Sequence, residues 1–318
     1  MSADHPPSPA RPSPALPPAR SPAPSRDALL PVLAVIAGIA TFSMMDAAMK
    51  SASLKAGVYS ALFLRCLTGA ALVAPFWAWR SPRLPGRRAL RVHVLRSAVV
   101  ACMAPLFFWG LVRLPMAEAI AISFIAPLIA LYLAGVFLGE AIRPGAVLAS
   151  LLGLAGVAVI GVARARGTGL GHGSLAGIAA VLASAVFYAV NLVLQRRQAQ
   201  LAGPSEIALF QNLFVALLLA PAAPWLFAWP EAAGWRAIVL GAALAGIALV
   251  LLSWGYARAE AQVLLPIEYT GFAWAALLGW AWFGETVGWE TVAGAVLIVA
   301  GCWIATRPAA PLAPPPGP

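Results

Sequence analysis

The chain has 318 residues, 62% of them hydrophobic and only 10% charged, with a formal net charge of +10. Soluble domains carry about 25% charged residues, so water is not the main solvent of this chain. The positive charge does not point to nucleic acid: six arginines between Arg80 and Arg96 crowd one short segment between apolar runs. That is how a cytoplasmic membrane loop looks, and it leaves no domain-sized basic surface.

Residues 1–27, "MSADHPPSPARPSPALPPARSPAPSRD", are rich in Pro, Ala and Ser and cannot build a packed core, so a disordered cytoplasmic tail is expected. They lack the short apolar region and cleavage site of a secretory signal. Ten apolar segments of about span length follow, at approximately 29–49, 58–79, 92–112, 116–138, 144–162, 174–195, 206–227, 236–257, 262–284 and 287–306. Strict alternation is absent, which excludes a β-barrel, and residues 308–318 form a Pro-rich C-terminal tail. The expected fold class is all-α, a polytopic membrane protein of ten transmembrane helices. Cys66, Cys102 and Cys302 lie inside apolar runs without paired spacing, so neither a disulfide framework nor a metal site is read from them.

Orientation follows from the basic residues. With the N-terminus inside, the cytoplasmic segments hold Arg80, Arg83, Arg87, Arg88, Arg91, Arg143, Arg196, Arg197, Arg258 and Arg307. The other side holds only Lys50, Lys55, Arg113, Arg164, Arg166 and Arg236. The excess places both termini in the cytoplasm.

The chain also repeats itself. "ISFIAPLIALYLAGVFLGE" (122–140) aligns without gaps to "IEYTGFAWAALLGWAWFGE" (267–285), an offset of 145. The same offset sets Phe42, Asp46 and Lys50 on Phe187, Asn191 and Gln195, and Gly110 with Arg113 on Gly255 with Arg258. One inserted residue later Arg65 falls on Gln211. Each half therefore holds five spans, and an odd number sends the second half through the bilayer upside down, a transporter signature.

The paired "FLGE" and "WFGE" spans, each followed by a small-residue helix, and the segment "LLPIEYTGFAWAALLGWAWFGE" resemble the EamA family of the drug/metabolite transporter superfamily. The resemblance implies two EamA-like five-helix repeats, 28–165 and 174–307, around a central cavity, and secondary transport of small metabolites. Pro127 in the first repeat faces Phe272 in the second, whose proline stands earlier at Pro266. The backbone break of the later span is therefore expected to be displaced.

Ionisable groups inside spans are costly and default to a functional role. Asp46 lies within a turn of the outer end of its span, with Lys50 one turn further on the same face, and Arg65 lies roughly 10 Å below the outer edge. These three form an expected outer cluster, with interfacial snorkelling the alternative for Asp46 and Lys50. Inversion sets Asn191, Gln195 and Gln211 near the inner face, level with Glu268. Glu268 then lines the cavity, meeting a cationic substrate group or carrying a proton. A structural hydrogen bond to Tyr269, Gln262 or a neighbouring helix is the plainer reading. Trp254 and Trp274 sit mid-span, where they can stack on a planar substrate, while Trp79 and Trp235 read as interface anchors. Glu140 and Glu285 recur in both halves but end their spans at the water interface, where holding the next helix start is the better reading.

The leading expectation is a secondary transporter in the cytoplasmic (inner) membrane, working by alternating access, with proton coupling open. Its partners are a small-molecule substrate and the lipid bilayer, with a homodimer left open. No P-loop is present, and His5, His93 and His172 lie at edges or in tails, so no cofactor, catalytic centre or enzyme is read. A membrane scaffold or sensor that transports nothing is the alternative.

Overall fold

The computed structural model describes residues 26–80, 84–138, 144–167, 172–256, 258 and 267–306. Both tails, Glu140 and Pro266 lie outside these residues. Every regular element described is helical, as the bilayer demands, because a backbone in lipid must satisfy its own polar groups. The helices are α1 (Arg26–Ala56), α2 (Val58–Arg80), α3 (Arg87–Leu111), α4 (Met116–Ser123), α5 (Ala126–Leu138) and α6 (Pro144–Gly167) in the first half. In the second half come α7 (His172–Ala199), α8 (Pro204–Leu219), the short α9 (Ala223–Leu226), α10 (Ala232–Tyr256), α11 (Thr270–Phe283) and α12 (Trp289–Thr306).

Six of these stretches are long and apolar enough to cross a membrane: Leu30–Ala56, Val58–Trp79, Arg87–Leu111, Gly173–Gln195, Pro204–Leu226 and Ala232–Gly255. Shorter apolar helices run over Met116–Ala130, Leu151–Ala163 and Trp289–Gly301. Helix α1 takes in Arg26 and Asp27, assigned above to the tail, and runs seven residues past the expected end at 49. Gly57, at φ 78°, stops it with a left-handed residue that only glycine adopts cheaply.

The expected single span over 116–138 is broken. Pro127 has no N–H for the carbonyl of Ser123, and α4 gives way to α5 through a tightened turn at Phe124 and Ile125. In the later span the chain is helical at 267–268, turns at Tyr269 and resumes as α11. Phe124 and Tyr269 are 145 positions apart, so the break is not displaced, contrary to the expectation from Pro266.

Contacts between the halves build the core. Helix α1 lies along α10 and α11, α3 along α7 and α8, α7 along α4 and α5, α2 against α8 and α10, and α6 against α12. One buried cluster runs through both halves and includes Met49, Leu62, Leu111, Met116, Ile160 and Ile298. Trp79, Trp225, Trp229 and Trp289 stay exposed at the rim, whereas Trp235 packs on the core and on Trp229, 5.6 Å between ring centroids.

Helices α6 and α12 cross so closely that a Cβ on Gly156 would lie 2.5 Å from the Gly294 carbonyl. A backbone carbonyl cannot rotate aside, so Gly156→Ala is expected to cost at least the ~1–3 kcal/mol typical of overpacking. Gly246 has nothing within 4 Å of an added Cβ, and Gly246→Ala is expected to be neutral or stabilising. Thermal unfolding of both variants in detergent checks the pair; equal midpoints would refute the tight crossing.

Candidate substrate pathway

"Upper" here means the end of the bundle where α1 finishes and "lower" the end where it begins. At the upper end Lys50 is buried rather than snorkelling. Its Nζ donates to the Leu114 carbonyl at 2.7 Å, forms an ion pair with Glu285, and sits 5.2 Å from the Phe283 ring centroid. The other oxygen of Glu285 accepts the Met116 N–H at 2.7 Å, the first residue of α4. Glu285 thus caps a helix, but a helix of the other half and not the next one in sequence. Gly284 explains the redirection. At φ 65° it reverses the chain, and the Glu285 N–H bonds back to the Gly279 carbonyl at 3.0 Å.

Asp46 is buried on α1, and the positive charge of Arg65 on α2 acts on it. The Arg65 Nε finds no hydrogen-bond partner among the described residues, and neither does either amide atom of Gln211. The outer trio expected from sequence is therefore divided: Asp46 faces Arg65, while Lys50 is engaged with Glu285. A cleft of about 470 Å³ opens at the same end, lined by Ser53, Tyr59, Pro105, Trp109, Arg113 and Leu219 among others.

At the lower end the organising group is one the sequence reading passed over. Arg96 on α3 donates from Nε to Asn191 Oδ1 at 2.9 Å, from Nη1 to Gln198 Oε1, and from Nη2 to Gln195 Oε1 at 3.3 Å. Its acceptors among the described residues are all neutral amides of α7. Asn191 and Gln195 stand together in this group; Gln211 is not part of it. Gln198 in turn meets His93, whose other ring nitrogen lies 3.1 Å from Glu206.

Tyr188 on α7 joins the two ends. Its hydroxyl lies within electrostatic reach of Glu268, Arg96 and Asp46 together. Glu268 is exposed, and beside it the Tyr269 ring meets Phe124 edge-on at 5.3 Å, so the two span breaks touch. Trp274 is partly buried against Val35 and Ile39 of α1. Trp254 stays exposed, with the Arg258 guanidinium 4.3 Å from its ring, as Arg113 lies 3.4 Å from that of Trp109.

The profile of the EamA-like transporter family matches residues 29–162 and again 175–307. The chain belongs to the EamA-like transporter family. It is therefore an integral membrane protein of a transporter family rather than an enzyme. It is 34% identical over 185 residues to the aromatic amino acid exporter YddG of Ancylobacter novellus, a match covering 57% of this chain and 63% of that one. The match thus spans less than two thirds of that relative. A crystal structure at 26% identity superposes with a TM-score of 0.58, over 87% of this chain and 96% of the other.

The missed residues of this EamA-like chain had a signal. Ser43, Asp46, Lys50 and Ser53 are all buried on one face of α1. Tyr188, Asn191, Gln195 and Gln198 repeat that spacing on α7, each 145 positions later. Polar residues recurring every three or four positions in an apolar helix mark one stripe. Only Asp46 and Lys50 of the first stripe, and Asn191 and Gln195 of the second, were singled out from sequence.

Proposed function

We propose that this chain is a ten-span secondary carrier of the cytoplasmic membrane. Its two oppositely threaded five-span repeats expose a shared site to each side in turn. Two features support the inverted pairing. Exchanging the halves converts the α1–α10 contact into α7–α3, and it maps α2–α8 and α6–α12 onto themselves. The upper end is then the outer one, and both termini are cytoplasmic by the arginine excess.

The substrate is a zwitterion of amino acid type with an apolar or aromatic side chain, moved outward. The observation that carries this reading is Arg96, a guanidinium inside a span held by neutral amides alone among the described residues. A carboxylate can add to its planar donor fork without displacing an existing ion pair. Asp46 and Glu268, both within reach of Tyr188, supply negative charge for the ammonium group. Phe124 and Tyr269 supply aromatic surface. The name of the Ancylobacter relative agrees in direction and substrate class.

Proteoliposome counterflow with L-phenylalanine, phenethylamine and 3-phenylpropionate tests the reading. L-Phenylalanine is expected to exchange and the other two to fail, because each lacks one of the two charges. Glu268→Gln is expected to slow L-phenylalanine while leaving the protein in the membrane. Equal movement of all three compounds, or of none, would count against a zwitterion site.

A further inference from the structure

We propose that His93, acting through Gln198, is the residue that positions Arg96 and the proton-binding group of the pathway's inner end. The inference deepens the carrier reading and rests on it. It starts from the direction of three hydrogen bonds. An arginine only donates, so the oxygen of the Gln198 amide must face Arg96 Nη1. The amide nitrogen of Gln198 then faces His93 Nδ1, 2.5 Å away, and donates to it. A ring nitrogen that accepts carries no proton, so the imidazole's one proton is on Nε2, where it is donated to Glu206 Oε1 at 3.1 Å. Each assignment follows from the one before, and the order begins at a group that cannot reverse.

The ring has no freedom to escape this order. His93 is fully buried and stacks on Phe210 of α8, ring centroids 5.5 Å apart. A proton added at Nδ1 puts two donors face to face. If Gln198 turns its oxygen to the new imidazolium, its amide nitrogen meets Arg96 and the same conflict arises there. Only that turn gives the imidazolium an acceptor, and it takes the acceptor from Arg96 Nη1, leaving the guanidinium Asn191 and the longer contact to Gln195. That freed N–H is the donor a carboxylate needs.

The charges around His93 favour such a cycle. Glu206 on α8, with 18% of its side chain exposed, is the counter-ion of the imidazolium and opens toward the lower surface. Arg88 and Arg91 on α3 and Arg197 on α7 are exposed at the lower rim. Asp46 on α1, Arg65 on α2 and Glu118 on α4 belong to helices packed against α3 but lie higher in the bundle. Cytoplasmic acidification then loads His93 and frees Arg96 for substrate; alkaline conditions tie Arg96 back to Gln198.

The first experiment needs no substrate. Solid-state 15N NMR of the full chain in proteoliposomes, labelled at His and Arg, reads the tautomer directly, with His93→Gln and Gln198→Glu assigning the signals. The Nε2–H tautomer is expected while His93 is neutral, and imidazolium formed on acidification is expected to move the Arg96 side-chain resonances in step. In His93→Gln the Arg96 resonances should not respond to pH. An Nδ1–H tautomer, or Arg96 signals unmoved while His93 titrates, would overturn the proposal.

The second experiment is L-phenylalanine counterflow. From pH 8 to pH 6 the wild-type inner-side KM is expected to fall about fivefold, the equivalent of one modest hydrogen bond, with kcat unchanged. Gln198→Glu places a carboxylate that accepts from both Arg96 and an imidazolium, so its KM should be flat and high. A packing role for His93 would move kcat or yield and leave the pH slope of KM intact, which would also overturn the assignment. The expected NMR titration without any L-phenylalanine counterflow would sink the substrate reading and spare the relay.

Discussion

Replacing Arg96 by glutamine is expected to raise the inner-side KM for a carboxylate-bearing substrate by about two orders of magnitude, roughly 3 kcal/mol. The estimate assumes that the substrate's carboxylate is desolvated against the guanidinium, as a site inside a span requires. Glutamine fits the amide surroundings of Asn191, Gln195 and Gln198, so the packing should survive and the loss should fall on binding. Arg96→Lys keeps the charge but not the two-pronged donor, and an intermediate KM is expected. Counterflow titrations on monodisperse protein make the comparison. Wild-type KM in Arg96→Gln would remove the carboxylate from this residue.

The second large effect concerns the upper closure. Lys50 and Glu285 join α1 to the end of α11, and Glu285 also holds the first N–H of α4. Removing one member of a buried pair strands the other and costs about 3–5 kcal/mol. Glu285→Met removes both the counter-ion of Lys50 and the acceptor of the Met116 N–H, so it should destabilise more than Lys50→Met, which leaves the helix cap in place. The double variant should recover part of the loss, because neither charge is then buried alone. Thermal unfolding measures this order. Since the pair ties parts of both halves together at one end, its loss should also favour the state open on that side. A Ser53→Cys reporter, buried at the edge of the 470 Å³ cleft, should react faster with an impermeant maleimide in the Lys50→Met background. Unchanged labelling would leave the pair a structural contact only.

How much of this was legible beforehand can be argued from particular residues. The breaks at Phe124 and Tyr269 fall inside "ISFIAP" and "IEYTGF", and the gapless alignment of those strings matched them. Pro266 misled the comparison because a proline marks where a helix can be interrupted, not where the chain has to turn. Asp46 and Arg65 were expected in one outer cluster from their depths on separate helices, and the charge of Arg65 acts on Asp46. Lys50 was assigned to the same group because it shares a helix face with Asp46. Its partner, Glu285, is 235 positions away, and only the packing of α1 near the end of α11 brings them together.

Glu285 carries the same lesson. Its place at a helix end announced a capping role, and capping is what it does. Which helix it caps depended on the left-handed turn at Gly284 and on α4 beginning alongside. Arg96 falls within the expected span 92–112 but was given no role there. No residue near it in sequence can answer a guanidinium; its three acceptors come from α7, 95 to 102 positions later.

By itself the sequence determined the solvent, the helical class, the doubling of one family unit along the chain and the positions of the polar interruptions. These are consequences of local composition and spacing, since lipid penalises every unpaired backbone group and every stray charge residue by residue. The tertiary structure decided which charges neutralise one another, which amide faces which donor, and hence the tautomer of His93. Those outcomes depend on distances between helices far apart in the chain, and the short reach of a hydrogen bond makes them a property of packing rather than of order along the sequence.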